Sequence, residues 1–168
     1  MKKLFFIPLV VVAACTLMLA MSLSPREYYN SQYMPVFMER GELEKSIKYD
    51  NEPREMADPG KIYVKGNYIY VNERYKGVHI IDNSDPRNPT RIAYIVAPGC
   101  LDMAIKENIM YIDNAVDFVA FNLDTKQVIK RIKEYFPERP SPTGQYAHYY
   151  DRPKGYILVG WEKNPNYK

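Results

Sequence analysis

Cysteine and histidine are scarce in this chain of 168 residues, which holds two of each and a single tryptophan. Cys15 lies inside an N-terminal apolar run, so Cys100 has no cysteine to pair with in the rest of the chain. A disulfide framework and the paired-cysteine zinc patterns are thereby excluded. There is no glycine-rich phosphate loop, no Gly-x-Ser-x-Gly elbow and no Cys–His pair. An excess of one charge is also missing. The formal charge is +3, and without Lys2 and Lys3 it falls to 21 basic against 20 acidic residues. Nothing in that balance points to nucleic acid.

What is abundant is tyrosine, with 16 residues, and proline, with 13. Tyrosine favours strands, and proline marks turns and strand ends. The composition therefore reads as β structure.

Met1-Lys2-Lys3 precedes a charge-free run from Leu4 to Leu23. Three readings of this segment stand side by side. Leu4 to Ala14 is the length of a signal-peptide core, and Val12-Ala13-Ala14-Cys15 looks like a bacterial lipobox, with Cys15 as the lipidated residue. The whole run of 20 residues also suits an apolar transmembrane helix, held by the lysines with its C-terminal side outside. Ala20-Met21-Ser22 offers an ordinary cleavage site. All three place residues 25–168 outside the membrane: an exported domain at the cell envelope, attached through its N-terminal segment or released.

Residues 25–59 read as a Tyr- and Pro-rich arm, with Ser22 to Val36 extended. Glu39 to Ile47 has helical spacing at Leu43 and Ile47 and a Glu44/Lys48 pair, predicting a short linker helix. Asp58-Pro59-Gly60 is a turn signal that opens the β domain, residues 60–168.

Within that domain, short apolar runs alternate with turn chemistry. Strands are expected at Ile62–Val64, Tyr68–Val71, Val78–Ile81 and Ile92–Val96, then at Met103–Ile105, Ile109–Asp113, Phe118–Asn122 and Val128–Ile132. A shift of 41 superposes Val64-Lys65-x-Asn67-x-x-Tyr70-Val71-Asn72 on Ile105-Lys106-x-Asn108-x-x-Tyr111-Ile112-Asp113, and a shift of 40 superposes Val78–Asp82 on Phe118–Asn122. Four short strands per repeat of this length describe a propeller blade. The fold class expected is all-β: two blade-like antiparallel units, about 60–100 and 101–136, in a partial or open propeller. A third partial unit, 145–168, is expected because Gly155–Trp161 resembles Asn67–Glu73. Two and a half units cannot close a ring, so self-association through open β edges is an expectation.

These units resemble the LVIVD repeat. The pentad falls on Val78-His79-Ile80-Ile81-Asp82, followed by Asn83-Ser84-Asp85-Pro86-Arg87-Asn88-Pro89. The second unit departs from the pattern, with Asn122 in place of the aspartate and Leu123–Gln127 in place of the Ser-Asp-Pro turn. The overall organisation is similar to short exported lipoproteins of the Bacteroides group that carry this repeat. The resemblance implies a blade-like fold and no particular reaction.

The polar residues of the first unit's turn, Asp82, Ser84, Asp85, Pro86, Asn88 and Pro89, suit Asx turns and strand termination. A calcium loop fails there, because its sixth and twelfth positions fall on Arg87 and Ala93. Asp82, Asp102, Asp113 and Asp117 sit at strand ends, where convergence on one rim would make a metal or acid–base site. His79 reads as a packed residue of an apolar strand, and Cys100 as a small half-buried one. Tyr146, His148, Tyr149 and Tyr150 form a candidate aromatic surface for a glycan or a protein. The expectation is an envelope binding or scaffold module with no catalytic residues, cofactor or metal. An enzyme using the acidic rim and a truncated repeat protein without independent function are the alternatives.

Overall fold

The computed structural model describes residues 31–147 and 152–167. The N-terminal run with Cys15, and His148, Tyr149 and Tyr150, lie outside the described residues. Among the described residues no helix is long and apolar enough to cross a membrane.

The chain is built almost entirely of strands: β1 (Tyr33–Glu39), β2 (Lys48–Asp50), β3 (Pro59–Lys65), β4 (Tyr68–Glu73), β5 (Gly77–Asp82), β6 (Thr90–Val96), β7 (Met103–Lys106), β8 (Ile109–Asn114), β9 (Asp117–Asn122), β10 (Gln127–Ile132) and β11 (Tyr156–Lys163), with one short helix, α1 (Arg40–Lys45). Strands β3 to β6 form one antiparallel meander and β7 to β10 a second. These are the two blade-like units, and every strand read from the apolar runs between Ile62 and Ile132 has its counterpart. The three sheets are separate and none closes on itself.

Each unit starts on a tight hairpin. Lys65 pairs with Tyr68 across Gly66-Asn67, and Lys106 pairs with Ile109 across Glu107-Asn108. Gly66 (φ +56) and Glu107 (φ 52) both take the left-handed conformation such a turn requires. The next turn is shared as well, with Tyr75 (φ 63) and Ala115 (φ 59) in equivalent places. The repeat is thus one of backbone as well as of sequence.

The core lies between the units. From the first come Tyr70, Val78, Ile80, Ala93 and Ile95; from the second, Met103, Ile105, Met110, Ile112, Val119 and Phe121. The central strands β4 and β5 are covered on both sides, as their continuous apolar runs predict. One side meets the second unit. The other is partly roofed by the segment before β3, where the Arg54 guanidinium lies 4.6 Å from the Tyr94 ring centre and the Ala57 N–H donates to Glu73 Oε1.

Two expectations are revised. The helix spans Arg40–Lys45 only, and Lys48 begins β2, so Glu44 pairs with Arg40 and Lys133 instead of Lys48. The arm packs on the domain and covers an edge of the first unit, where β2 adds a fifth strand beside β6. The C-terminal strand starts no third unit, because β11 pairs with β1 alone in a two-stranded ribbon. A strand can satisfy its backbone with any edge of the right length, and β1 offers one.

Candidate functional site

The stacked units have two rims, and the structure treats them differently. The rim carrying the β4–β5 and β8–β9 turns is covered by the β1–β11 ribbon, with a groove of about 950 Å³ between Tyr33, Val36 and Glu162 of the ribbon and Arg74 and Lys76 of the rim. Gly160 sits against Tyr75, and a Cβ placed on it would come within 2.9 Å of the tyrosine Cβ. The Trp161 indole N–H donates to the Arg139 carbonyl at 3.1 Å.

Two of the acidic residues, Asp113 and Asp117, are buried. Asp117 is fully buried and receives Arg40 through Nη1 and Nη2 at 2.9 Å each, Arg131 Nη1 at 2.7 Å and the Glu134 backbone N–H at 3.0 Å. Asp113 Oδ1 accepts the backbone N–H groups of Leu101 and Asp102, both at 2.9 Å. Burial pushes its carboxyl above the ordinary range, against the pull of those two donors. Asp102 is exposed and pairs with Lys61. Asp82 is on the other rim, opposite Tyr68.

The four carboxylates therefore do not converge. A strand period of two sends residues to opposite faces, and a meander sends successive strand ends to opposite rims. Among the described residues no group of three His, Cys, Asp or Glu side chains is placed to hold a metal.

His79 is fully buried, and its Nε2 donates to Glu73 Oε2 at 2.5 Å, the carboxylate having only acceptors. Burial works to raise the Glu73 carboxyl, but its bonds from His79, Ala57 and Asp58 outweigh this and leave it below the ordinary value. The Tyr94 ring meets His79 edge-on at 4.7 Å. Cys100 is fully rather than half buried; its Sγ accepts from Asn72 Nδ2 at 3.3 Å, and burial pushes the thiol well above its usual value. Such a thiol is a poor nucleophile at neutral pH.

The opposite rim, carrying the β3–β4 and β7–β8 hairpins, is open. Here the two sheets diverge around a groove of about 570 Å³. Its rings are Tyr49 of β2 and Tyr68 and Tyr70 of β4, with Ile92 beside them. Tyr68 is 43% exposed and Tyr70 6%, so one ring stands at the mouth and the other forms the floor. Burial, with the neighbouring phenols, raises the Tyr49 and Tyr70 hydroxyls above their usual value and keeps them protonated donors.

The polar edge of the groove comes from the hairpins and the second unit. Asn108 Nδ2 donates to Asp124 Oδ2 at 2.6 Å, and Lys65 reaches the Glu107 carbonyl and Asn108 Oδ1. Asn67 completes this edge. Lys126 Nζ sits 4.1 Å from the centre of the Tyr49 ring. The charges, Lys65 and Asp124, are balanced. This is the shape of a small-ligand site: flat apolar faces with a few convergent polar groups.

The LVIVD-type turn borders the same rim and is exposed. Asp82 Oδ1 accepts the Ser84 N–H at 2.8 Å and its hydroxyl at 2.6 Å, Asp85 Oδ1 accepts the Arg87 N–H at 3.0 Å, and the Asn88 N–H donates to the Asp85 carbonyl at 3.0 Å. Pro86 and Pro89 lie in the same exposed loop. Tyr146 is 65% exposed. None of these residues lines the groove. The groove was missed from sequence, although Tyr68-x-Tyr70 and the repeated hairpin asparagines, Asn67 and Asn108, were signals for it.

Comparison with known proteins matches the LVIVD repeat to residues 58–94, which takes in the first unit from β3 into β6. No curated protein matches. Among solved structures, the N-terminal domain of Nup159 is similar over 48% of this chain at 21% identity, with a TM-score of 0.38. The chain spans 22% of that structure.

Proposed function

We propose, from the premise that residues 58–94 form an LVIVD repeat, that this protein is a binding module of the cell envelope whose open-rim groove takes a neutral, hydroxyl-rich ligand of the saccharide class. The observation that carries this reading is the groove itself, with three tyrosine rings facing two asparagines and one aspartate across about 570 Å³. Ring faces pack against the C–H faces of a pyranose, while amide, carboxylate and phenol groups take its hydroxyls. The balanced charge disfavours a strongly anionic or cationic ligand.

Placement outside the membrane rests on the charge-free run from Leu4 to Leu23. Lipidation at Cys15 would tether the module at the envelope, and the covered rim would then serve as support while the open rim faces ligand.

The test is a titration of the full chain, kept in a mild non-ionic detergent, against a panel of neutral oligosaccharides, followed by calorimetry. Binding of at least one oligosaccharide class, at micromolar to millimolar affinity, is expected. No heat from any member at millimolar concentration would overturn the saccharide reading.

A further inference from the structure

The two units stack in one direction, so each has a head face and a tail face. The first unit meets the second through Tyr63, Tyr70 and Ile80, which lie on one side of the sheet by strand register. Their repeat equivalents, Ala104, Tyr111 and Ala120, lie on the side of the second unit turned away from the first. Conversely, the second unit packs inward through Ile105, Met110 and Phe121. Their equivalents Val64, Ile69 and Ile81 lie on the first unit's far side. The seam inside the chain is head on tail, and one tail and one head are left over at the ends of the stack.

Both ends expose apolar surface. On the tail, Ile62 is 67% and Val64 62% exposed; at the head, Ile132 is 42% and Tyr135 61% exposed. The polar contacts of the seam also have counterparts at the ends. Across the seam Lys65 reaches Asn108 Oδ1 at 3.3 Å, and Lys61 pairs with Asp102. The equivalent of Lys65 at the head is Lys106, and that of Asn108 at the tail is Asn67.

We propose that a second copy of this chain docks on these ends, the tail face of one copy (Ile62, Val64, Ile69) packing on the head face of another (Ala104, Tyr111, Phe118) as the two units do within the chain. The contact is heterologous, so repetition closes a ring when the rotation per unit allows it. With two units per chain, a ring of about four to eight blades takes two to four copies. Each new seam opens a further groove on the same rim, equivalent in position to the one between the units. The β1–β11 ribbon covers a rim; the segment before β3 roofs the part of the tail face near Tyr94 but leaves Ile62 and Val64 exposed, and Tyr135 and Phe136 pack on Phe118 at the head.

Within the chain the Tyr63 hydroxyl donates to the Ile105 carbonyl at 2.7 Å, so Ala104 of one copy is expected to meet Val64 of the next. The test uses full chains in mild detergent, one carrying Val64→Cys and the other Ala104→Cys. Because that contact spans a whole tyrosine side chain, the thiols are joined with a flexible bis-maleimide in place of a direct disulfide. Cross-linking of the unlike chains is expected, with little joining of like chains. The unsubstituted protein is expected to sediment as two to four copies. Val64→Asp, at an exposed position, is expected to give a folded monomer, and Val64→Asp with Ala104→Lys to restore assembly. A monomer at all concentrations, or cross-links forming equally between like chains, would overturn the proposal.

Discussion

The substitution Asp117→Asn tests how the buried carboxylates are used. Asp117 is fully buried between two guanidinium groups whose side chains are 21% (Arg40) and 11% (Arg131) exposed. Asparagine keeps the shape and one acceptor, but its amide nitrogen donates toward an arginine that also only donates. Arg131 loses its counter-charge and Arg40 keeps only Glu44, in a place where water supplies little in return. Removing one member of a buried ion pair costs about 3–5 kcal/mol. The residual exposure of Arg40 places this case at the low end, about 3 kcal/mol. Since 1 kcal/mol moves the midpoint by about 2–4 °C in a domain of this size, Tm should fall by roughly 6–12 °C. Thermal unfolding of the full chain, followed by Trp161 fluorescence, measures it. A loss under about 1 kcal/mol would refute the reasoning, because it would mean that water already satisfies the arginines.

Met110→Ala, at a fully buried side chain in the seam between the units, should cost about 2–5 kcal/mol in urea unfolding. Gly99 holds φ +82, and an added Cβ would lie 2.5 Å from the Ala115 nitrogen, so Gly99→Ala should lose more than the roughly 1–2 kcal/mol of a left-handed alanine alone. Asp113→Asn gives a pH signature. Burial raises the Asp113 carboxyl in the folded state, so ionising it costs stability above the folded pKa and costs nothing below the unfolded value of about 4. The asparagine variant should therefore equal or exceed the parent at neutral pH and lose that advantage as the pH falls through the raised folded value to about 4. A variant whose deficit is constant with pH would contradict the assignment.

The eight strands of the two units were legible because each is a short apolar run bounded by Gly, Asn, Asp or Pro, and because a shift of 41 or 40 brings the runs into register. Chain position alone did not show where β11 would pair. Tyr156–Lys163 has the pattern of β4, but its partner is β1, a segment with no repeat signal of its own. The acidic residues misled for a related reason. Asp82 and Asp113 both lie near the C-terminal ends of strands, yet β5 and β8 run in opposite senses within their units, so these ends face opposite rims. His79 and Cys100 are packed residues as read, but the Glu73 and Asn72 side chains that bond His79 Nε2 and Cys100 Sγ lie at separations with no local signature. The groove draws on β2, both hairpins and the second unit, so only folding brings Tyr49, Tyr68 and Asn108 together.

The open-rim groove, and not Tyr146, is proposed as the ligand site. The direct measurement is the calorimetric affinity of the best-binding oligosaccharide for Tyr68→Ala and Tyr146→Ala full chains. Both residues are exposed, at 43% and 65%, so neither substitution should disturb folding. Tyr68→Ala is expected to weaken binding at least tenfold, about 1.4 kcal/mol, while Tyr146→Ala leaves it unchanged. The reverse order, or equal affinities in all three chains, would contradict it.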